Sequence, residues 1–364
     1  TVRQKAYEKA LSNIGRLRPY KKIKPSLIIA ITGCVAQQGG SDIIKRMPHV
    51  DIVLGTHQLH RITEIISKKS TVRGSIVDTT FTDCIPSMDI IPHMDFIQPS
   101  HRTYINIMQG CNNYCSYCIV PYVRGREISR DHAKIIDEVT IHASNGVKEI
   151  FLLGQNVNSY NGGRTFPELL RSINDIDGIE RIRFTTSHPK DMSDDLIACF
   201  ATLDKLCSHV HLPFQSGANS VLKLMNRHYT REAYLVLIDK LRSARPDIAF
   251  SGDAMVGFPG ETKQAYLDTL DLIKRVRFDI LYSFKYSKRP GTKAAGFIDD
   301  IGLEEKLSRL RELQAIQQDI TIENNQARVG KVFEVLVDGV SARYKDQIHG
   351  RTTHGIIVNF AGSR

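Results

Sequence analysis

Tyr104-Ile105-Asn106-Ile107-Met108 reads as a strand, and it empties through Gln109-Gly110 into Cys111-Asn112-Asn113-Tyr114-Cys115-Ser116-Tyr117-Cys118. The cysteine spacing is C-x3-C-x2-C. Strand-like runs recur at Glu149-Leu153, Arg181-Thr185, His209-Leu212, Ile248-Gly252 and Ile280-Lys285. Between them lie the helical patterns Ala133-Ser144, Phe166-Ile173, Asp194-Thr202, Arg231-Ser243 and Thr262-Val276. Six such units in about 200 residues predict an α/β protein whose centre is a parallel (β/α)6 barrel, complete or partial. In such barrels chemistry gathers where strands end and loops begin, and the three thiols sit at such a place.

Outward from the barrel the pattern changes twice. Residues 27–78 alternate short apolar runs (Leu27-Ile31, Asp51-Leu54, Val72-Val77) with the helical stretches Asp42-Met47 and Leu59-Lys68, predicting a second, smaller parallel α/β layer. Residues 79–100, with Pro86, Pro92 and Pro99, resemble a linker. A charged amphipathic helix over 303–327 precedes three strand-like runs with Gly turns, Val332-Val337, Gln347-Gly350 and Gly355-Phe360, half of a small β-barrel.

The 364 residues are 41% hydrophobic and 24% charged, which excludes wholesale disorder, and no apolar run approaches the ~20 residues of a membrane span. The net charge of +10 is localised. Residues 1–24 carry +7 and residues 326–364 carry +3, leaving 25–325 neutral. Basic ends suit a polyanion, although a solvated helix face has the same composition. Seven cysteines, an odd number without a secretory signal, argue against a disulfide scaffold. Three thiolates at the 111–118 spacing suit one face of an iron–sulfur cube, with the fourth iron left to an exogenous chelator. A zinc site of the same cysteines with His101 or His132 is the alternative. Cys199 lies in an apolar helix and Cys84 and Cys207 lack partners at ligand spacing, so these three read as structural. Cys34, on a loop after a strand, is undecided by spacing.

The cysteine loop, with Tyr117 just before its last cysteine, resembles the radical S-adenosylmethionine superfamily. Cys118-Ile119-Val120-Pro121-Tyr122-Val123-Arg124-Gly125-Arg126, His211-Leu212-Pro213-Phe214-Gln215-Ser216-Gly217 and Gly257-Phe258-Pro259-Gly260-Glu261-Thr262 resemble its methylthiotransferase branch. Leu153-Gly154-Gln155-Asn156-Val157-Asn158-Ser159-Tyr160 and Arg183-Phe184-Thr185-Thr186-Ser187-His188-Pro189 resemble the MiaB type, which acts on N6-dimethylallyladenosine in tRNA. The resemblance spans essentially the whole chain. It implies an N-terminal methylthiotransferase domain continuing to residue 71, a linker over 72–96, a radical core over 97–329, and the start of an RNA-binding TRAM β-barrel over 330–364. It further implies a [4Fe-4S] cluster on Cys111, Cys115 and Cys118, and S-adenosylmethionine held by Tyr117, Gly154, Gln155, Asn156, Ser187, Gln215 and Asp253. No catalytic residue is implied apart from the cluster and cofactor. Ser187, Gln215 and Asp253, read as following the third, fourth and fifth strands, serve equally well as caps or turn residues. The Gly257–Thr262 stretch suits a rigid turn, and Phe258 or Tyr160 either stacks on a base or is buried.

The same resemblance implies a second [4Fe-4S] cluster, with Cys34 the one matching ligand, together with tRNA, an electron donor and a sulfur donor as partners. It implies a monomer in the cytoplasm, away from membranes. Because the chain starts at Thr1, where the family has just passed its second N-terminal cysteine, the expectation is a piece truncated at both ends that cleaves S-adenosylmethionine without transferring sulfur. Threonylcarbamoyl-adenosine in tRNA and a ribosomal-protein aspartate are the alternative substrates within the branch. A non-catalytic, zinc-stabilised RNA-binding protein, or a simple electron carrier, is the reading from another class.

Overall fold

In Glu149-Ile150-Phe151-Leu152-Leu153 the side chains of Ile150 and Leu152 are fully buried on one face, while Glu149, Phe151 and Leu153 share the other. Period-two alternation between two covered faces is what a barrel strand needs, one face meeting helices and the other the lumen. The computed structural model describes residues 4–85, 100–344 and 346–362. They fall into two compact units, one drawn from Thr1–Ile91, Met108–Arg130 and Ser287–Gly296, the other from Pro92–Ile107, Asp131–Tyr286 and Phe297–Arg364.

The second unit holds the barrel strands β1 (Arg102–Asn106), β2 (Glu149–Leu153), β3 (Arg181–Phe184), β4 (His209–His211), β5 (Ala249–Val256) and β6 (Ile280–Lys285), at the six places the sequence indicated. All pair in parallel. β1, β2 and β3 form one ladder, β4, β5 and β6 another, and the Ile182–Leu206 bridge joins them. The result is an open, partial barrel. The helices between strands begin where the sequence supplies a cap. Asp131, Ser193, Thr230 and Thr262 each accept a backbone N–H of the first turn, and Thr165 with Glu168 forms a capping box. Each such cap contributes about 1 kcal/mol.

A helix over Leu303–Gln326 follows the last strand, then an antiparallel sheet of Val335–Val340, Ile348–Thr352 and Ile357–Phe360. This sheet is fastened to the N-terminal end of the barrel by arginines on strand β3. Arg183 donates to the Glu149 carboxylate at 2.6 Å and to the carbonyls of Thr352 and Thr353 at 2.5 and 3.1 Å. Arg181 donates to the Arg351 carbonyl and to Glu334. Both arginines are buried, so their charges are stabilised only by these partners.

The first unit holds a three-stranded parallel sheet of Ala30–Thr32, Ile52–Leu54 and Ile76–Asp78. Ile76–Asp78 is the strand expected over Val72–Val77, and it lies inside the 72–96 stretch that the resemblance implies as a linker. Pro86, Pro92 and Pro99 lie outside the described residues. The helix expected over Asp42–Met47 begins eight residues earlier, at Cys34, and is broken in the middle at Gly40, whose φ is +44°. Leu11, Val35, Ala36 and Ile43 pack against Val53 and Ile31 to form this unit's core. Among the described residues no helix is long and apolar enough to cross a membrane.

Candidate functional site

The cysteine loop belongs to the first unit. Its base is a two-residue antiparallel pair, Met108–Gln109 with Ile128–Ser129. Gly110 follows at φ +84°, and a Cβ there would lie 1.9 Å from the Arg126 carbonyl oxygen, so only glycine fits. Cys111 N–H donates to the Gly125 carbonyl, Cys118 N–H donates to the Cys115 carbonyl at 2.9 Å, and Val120 N–H donates to Cys118 Sγ at 3.4 Å. Burial pushes the Cys111 thiol up, against hydrogen bonding from Asn113, and the neighbouring Cys115 adds to the rise. A loop that brings the Cys111 and Cys115 thiols within electrostatic reach and aims a backbone amide at the Cys118 sulfur suits thiolate ligation of a cluster, which draws off the charge that burial penalises. No disulfide engages these cysteines. Among the described residues no three His, Cys, Asp or Glu side chains are grouped as a single metal ion requires. His101, offered as a zinc ligand, instead pairs with Asp338 at 2.9 Å.

Cys34 is the first residue of the Cys34–Arg46 helix, behind Gly33 at φ +81°, and so is not on a loop as its sequence setting suggested. Its Sγ accepts a hydrogen bond from Arg124 Nε at 3.2 Å. Arg124 ends the helix Val120–Arg124 that follows Cys118. Thr56 Oγ1 donates to the Val123 carbonyl, and His57 Nε2–H to that of Arg124, while His57 Nδ1 accepts from Thr82 N–H. The structure thus brings Cys34 into one compact unit with the three-cysteine loop, through an arginine that sequence reasoning did not single out. Tyr117 is half-buried on the same loop.

The other candidates lie in the second unit, at the C-terminal ends of strands. Gly154, Gln155 and Asn156 form the turn after β2. Asn156 is buried and donates from Nδ2 to Asp191 at 2.7 Å, and Val157 N–H donates to the Thr186 carbonyl, which draws this turn beside Ser187. Among the described residues neither Asn156 Oδ1 nor Ser187 Oγ, both buried, has a hydrogen-bond partner. Buried polar atoms left in this state cost about 1–3 kcal/mol each, a cost that a polar ligand removes. Thr186 and Gln215 adopt φ +70° and +67°, strained for residues with side chains. Gln215 N–H donates to the Asp253 carbonyl. Asp253 lies within β5 and not after it, because the ladder with β6 continues from Ser251 to Val256, with Gln215 bridging to Ala254 on the other side.

Gly257–Thr262 is a structural turn. Its Glu261 carboxylate accepts from Gly257 N–H at 2.7 Å and from Arg309 of the long helix at 2.8 Å. Phe258 and Tyr160 are buried, at 0% and 2% exposure, which removes both as base-stacking residues.

Residues 105–273 match the Radical SAM superfamily, and residues 1–55 match the Uncharacterized protein family UPF0004. A tRNA-2-methylthio-N(6)-dimethylallyladenosine synthase of Syntrophus aciditrophicus is 48% identical over 100% of this chain and 79% of its own length. That of Geobacter metallireducens is 50% identical over 100% of this chain and 82% of its own. The chain belongs to the tRNA-2-methylthio-N(6)-dimethylallyladenosine synthase family. Among solved structures, the radical S-adenosylmethionine methyltransferase TsrM of Kitasatospora setae, with tryptophan and a SAM analog bound, superposes with a TM-score of 0.56 at 15% identity, over 76% of this chain and 58% of TsrM. That likeness shows the fold that this synthase family shares with other radical SAM enzymes.

Proposed function

We propose that the reaction this chain serves is methylthiolation of C2 of N6-dimethylallyladenosine, next to the anticodon, in tRNA, the sulfur-transfer step needing ligands beyond Cys34. The observation that carries the reading is the Cys111–Cys118 loop, with its amide-to-sulfur hydrogen bonds, in a chain of this family. Cys111, Cys115 and Cys118 hold a [4Fe-4S] cluster. Gly154, Gln155, Asn156, Ser187 and Gln215, with Tyr117, hold S-adenosylmethionine, whereas Asp253, which lies inside β5 beside Tyr282, faces the substrate. Together the two cofactors supply the radical that removes hydrogen from an unactivated carbon. The protein's share is positional. Asp191 orients Asn156 so that its amide oxygen remains available as an acceptor for an ammonium group. The Ser187 hydroxyl offers a further polar contact, and the barrel excludes water from a species that would otherwise be quenched.

Cys34 is one ligand of a second cluster, with Arg124 N–H donating to its sulfur. The N-terminal domain runs past residue 71 to include the strand Ile76–Asp78, the radical core runs 97–329, the start of the RNA-binding barrel covers 330–364, and the basic ends grip the tRNA backbone. The enzyme works as a monomer in the cytoplasm, supplied by an electron donor and a sulfur donor.

Anaerobic reconstitution with iron and sulfide, followed by dithionite reduction with S-adenosylmethionine, tests this reading. It expects release of 5′-deoxyadenosine, lost to background in Cys115→Ala. Nucleoside mass spectrometry of tRNA from a strain lacking the gene expects disappearance of the methylthio group from dimethylallyladenosine. Its disappearance from threonylcarbamoyl-adenosine instead would reassign the substrate.

A further inference from the structure

The interior of a parallel barrel is normally filled by interdigitated side chains. Here one band of it is not. Strand register places Tyr104 beside Phe151 on β1 and β2, and Asp253 beside Tyr282 on β5 and β6, all on the face that carries Arg183, His211 and Ser251. Tyr104 and Tyr282, on the first and last strands, are 54% and 51% exposed. The remaining groups are already ordered around them. Tyr104 lies 5.1 Å from Phe151 between ring centroids, the Arg183 guanidinium sits 5.8 Å from the Phe151 centroid, and His211 meets Tyr282 edge-on at 6.1 Å. The Ser251 hydroxyl lies 2.9 Å from both His209 Nε2 and His211 Nδ1, donating to one ring and accepting from the other, and His211 Nε2 is 3.8 Å from the Asp253 carboxylate.

The N-terminal end of this lumen is closed. Arg183 is tied to Glu149 and to the carbonyls of Thr352 and Thr353, and a Cβ at Gly355 would lie 3.5 Å from the His209 ring. The band therefore opens towards the C-terminal ends of the strands. Two half-exposed tyrosines facing a closed floor, with a carboxylate between histidine and tyrosine, have the composition of a site for a planar base with an N–H donor.

We infer that Tyr104 and Tyr282 form the specificity pocket for the target nucleoside, stacking the extruded purine and enclosing its N6-alkyl group, with Asp253 accepting the N6–H. This deepens the functional reading above and rests on it. The phenol rings supply apolar surface to the dimethylallyl group, which an unmodified adenosine lacks. The pocket thereby selects tRNA that has already been alkylated, so a prenyl transfer to N6 must precede the reaction.

The test measures affinity of the full chain for two anticodon stem-loop RNAs that differ only in the N6-dimethylallyl group. The wild type is expected to prefer the alkylated loop about tenfold, the scale of one well-stacked apolar contact. Tyr104→Ala and Tyr282→Ala are expected to bring that ratio near one while leaving affinity for the unmodified loop within a few-fold, since phosphate contacts carry most of it. Tyr104→Phe and Tyr282→Phe should keep the preference, and thermal unfolding checks that each variant is folded. A folded alanine variant with undiminished preference overturns the inference. So does weaker binding of S-adenosylmethionine alone by calorimetry with RNA discrimination unchanged, which would give the band to the cofactor's adenine. A wild type that binds neither loop defeats the tRNA reading itself, a different outcome from either.

Discussion

The two ends of the barrel are built on opposite principles. At the N-terminal end the buried Arg183 spends Nε, Nη1 and Nη2 on Glu149, Thr353 and Thr352. At the C-terminal end, Asn156 Oδ1 and Ser187 Oγ are buried without partners among the described residues, and Thr186 and Gln215 hold left-handed backbone conformations. At the first end the arginine donors are spent on internal partners, although Glu149 Oε2 and Arg351 Nε have none among the described residues; the second joins unpaired polar atoms to a strained backbone and so keeps both in reserve for a ligand. Stability and recognition are thus separated along the strand axis, which is the division of labour that parallel β/α barrels allow.

The largest effect that could break this contrast is at the floor. Glu149→Ala removes the carboxylate from a buried guanidinium and is expected to destabilise the protein by about 3–5 kcal/mol in chemical denaturation. A loss below ~1 kcal/mol would mean that the floor is not structural. At the other end, burial, reinforced by the positive charge of Arg227, pushes His188 down to about 2. Its ring is neutral when folded but protonates near pH 6.5 when unfolded, so stability should be full above that pH. It should decline as pH falls from 6.5 towards 2, by up to about 1.4 kcal/mol per unit from this group. His188→Asn should flatten that slope in denaturation curves between pH 6.5 and 5. A smaller gain is expected from Thr186→Gly, which relieves the positive φ by up to about 1 kcal/mol, partly offset by the freer unfolded chain. Ser187→Ala removes a buried hydroxyl that bonds to nothing in the described residues, and is expected to stabilise the unliganded protein by about 1 kcal/mol. Calorimetry of that variant should show weaker S-adenosylmethionine binding despite undiminished stability; equal affinity would remove Ser187 from the site.

How far the sequence reveals all this depends on the range of the interactions. Barrel strands and helices were legible because period-two and period-3.6 patterns and Ser, Thr and Asp caps are local, and Asp194–Thr202 is found where its pattern lies. The cysteine loop was legible for the same reason. Asp253 reads as lying beyond the strand because Gly252 looks like a strand end, whereas pairing with β6 carries the strand past it to Val256. Cys34 looked like a loop residue because the apolar periodicity begins only after Gly40, although Gly33 is the cap. The Arg124–Cys34 contact spans 90 positions and leaves no trace in either segment. Tyr104 and Tyr282 could have been found, since they occupy alternate positions on strands already recognised, but exposure inside a barrel is a property of the assembled sheet alone.

The floor also sets a schedule for the growing polypeptide. The carbonyls that receive Arg183 lie 169 and 170 positions after it. At about 5–20 residues per second, a ribosome leaves this guanidinium waiting on the order of ten to thirty seconds for two of its partners. Until those carbonyls arrive the guanidinium has Glu149, which is already synthesised, but nothing seals the bottom of the barrel. Premature termination before Thr352 would therefore leave a chain that carries every radical-cluster cysteine and has no sealed lumen, a natural substrate for chaperones and proteases.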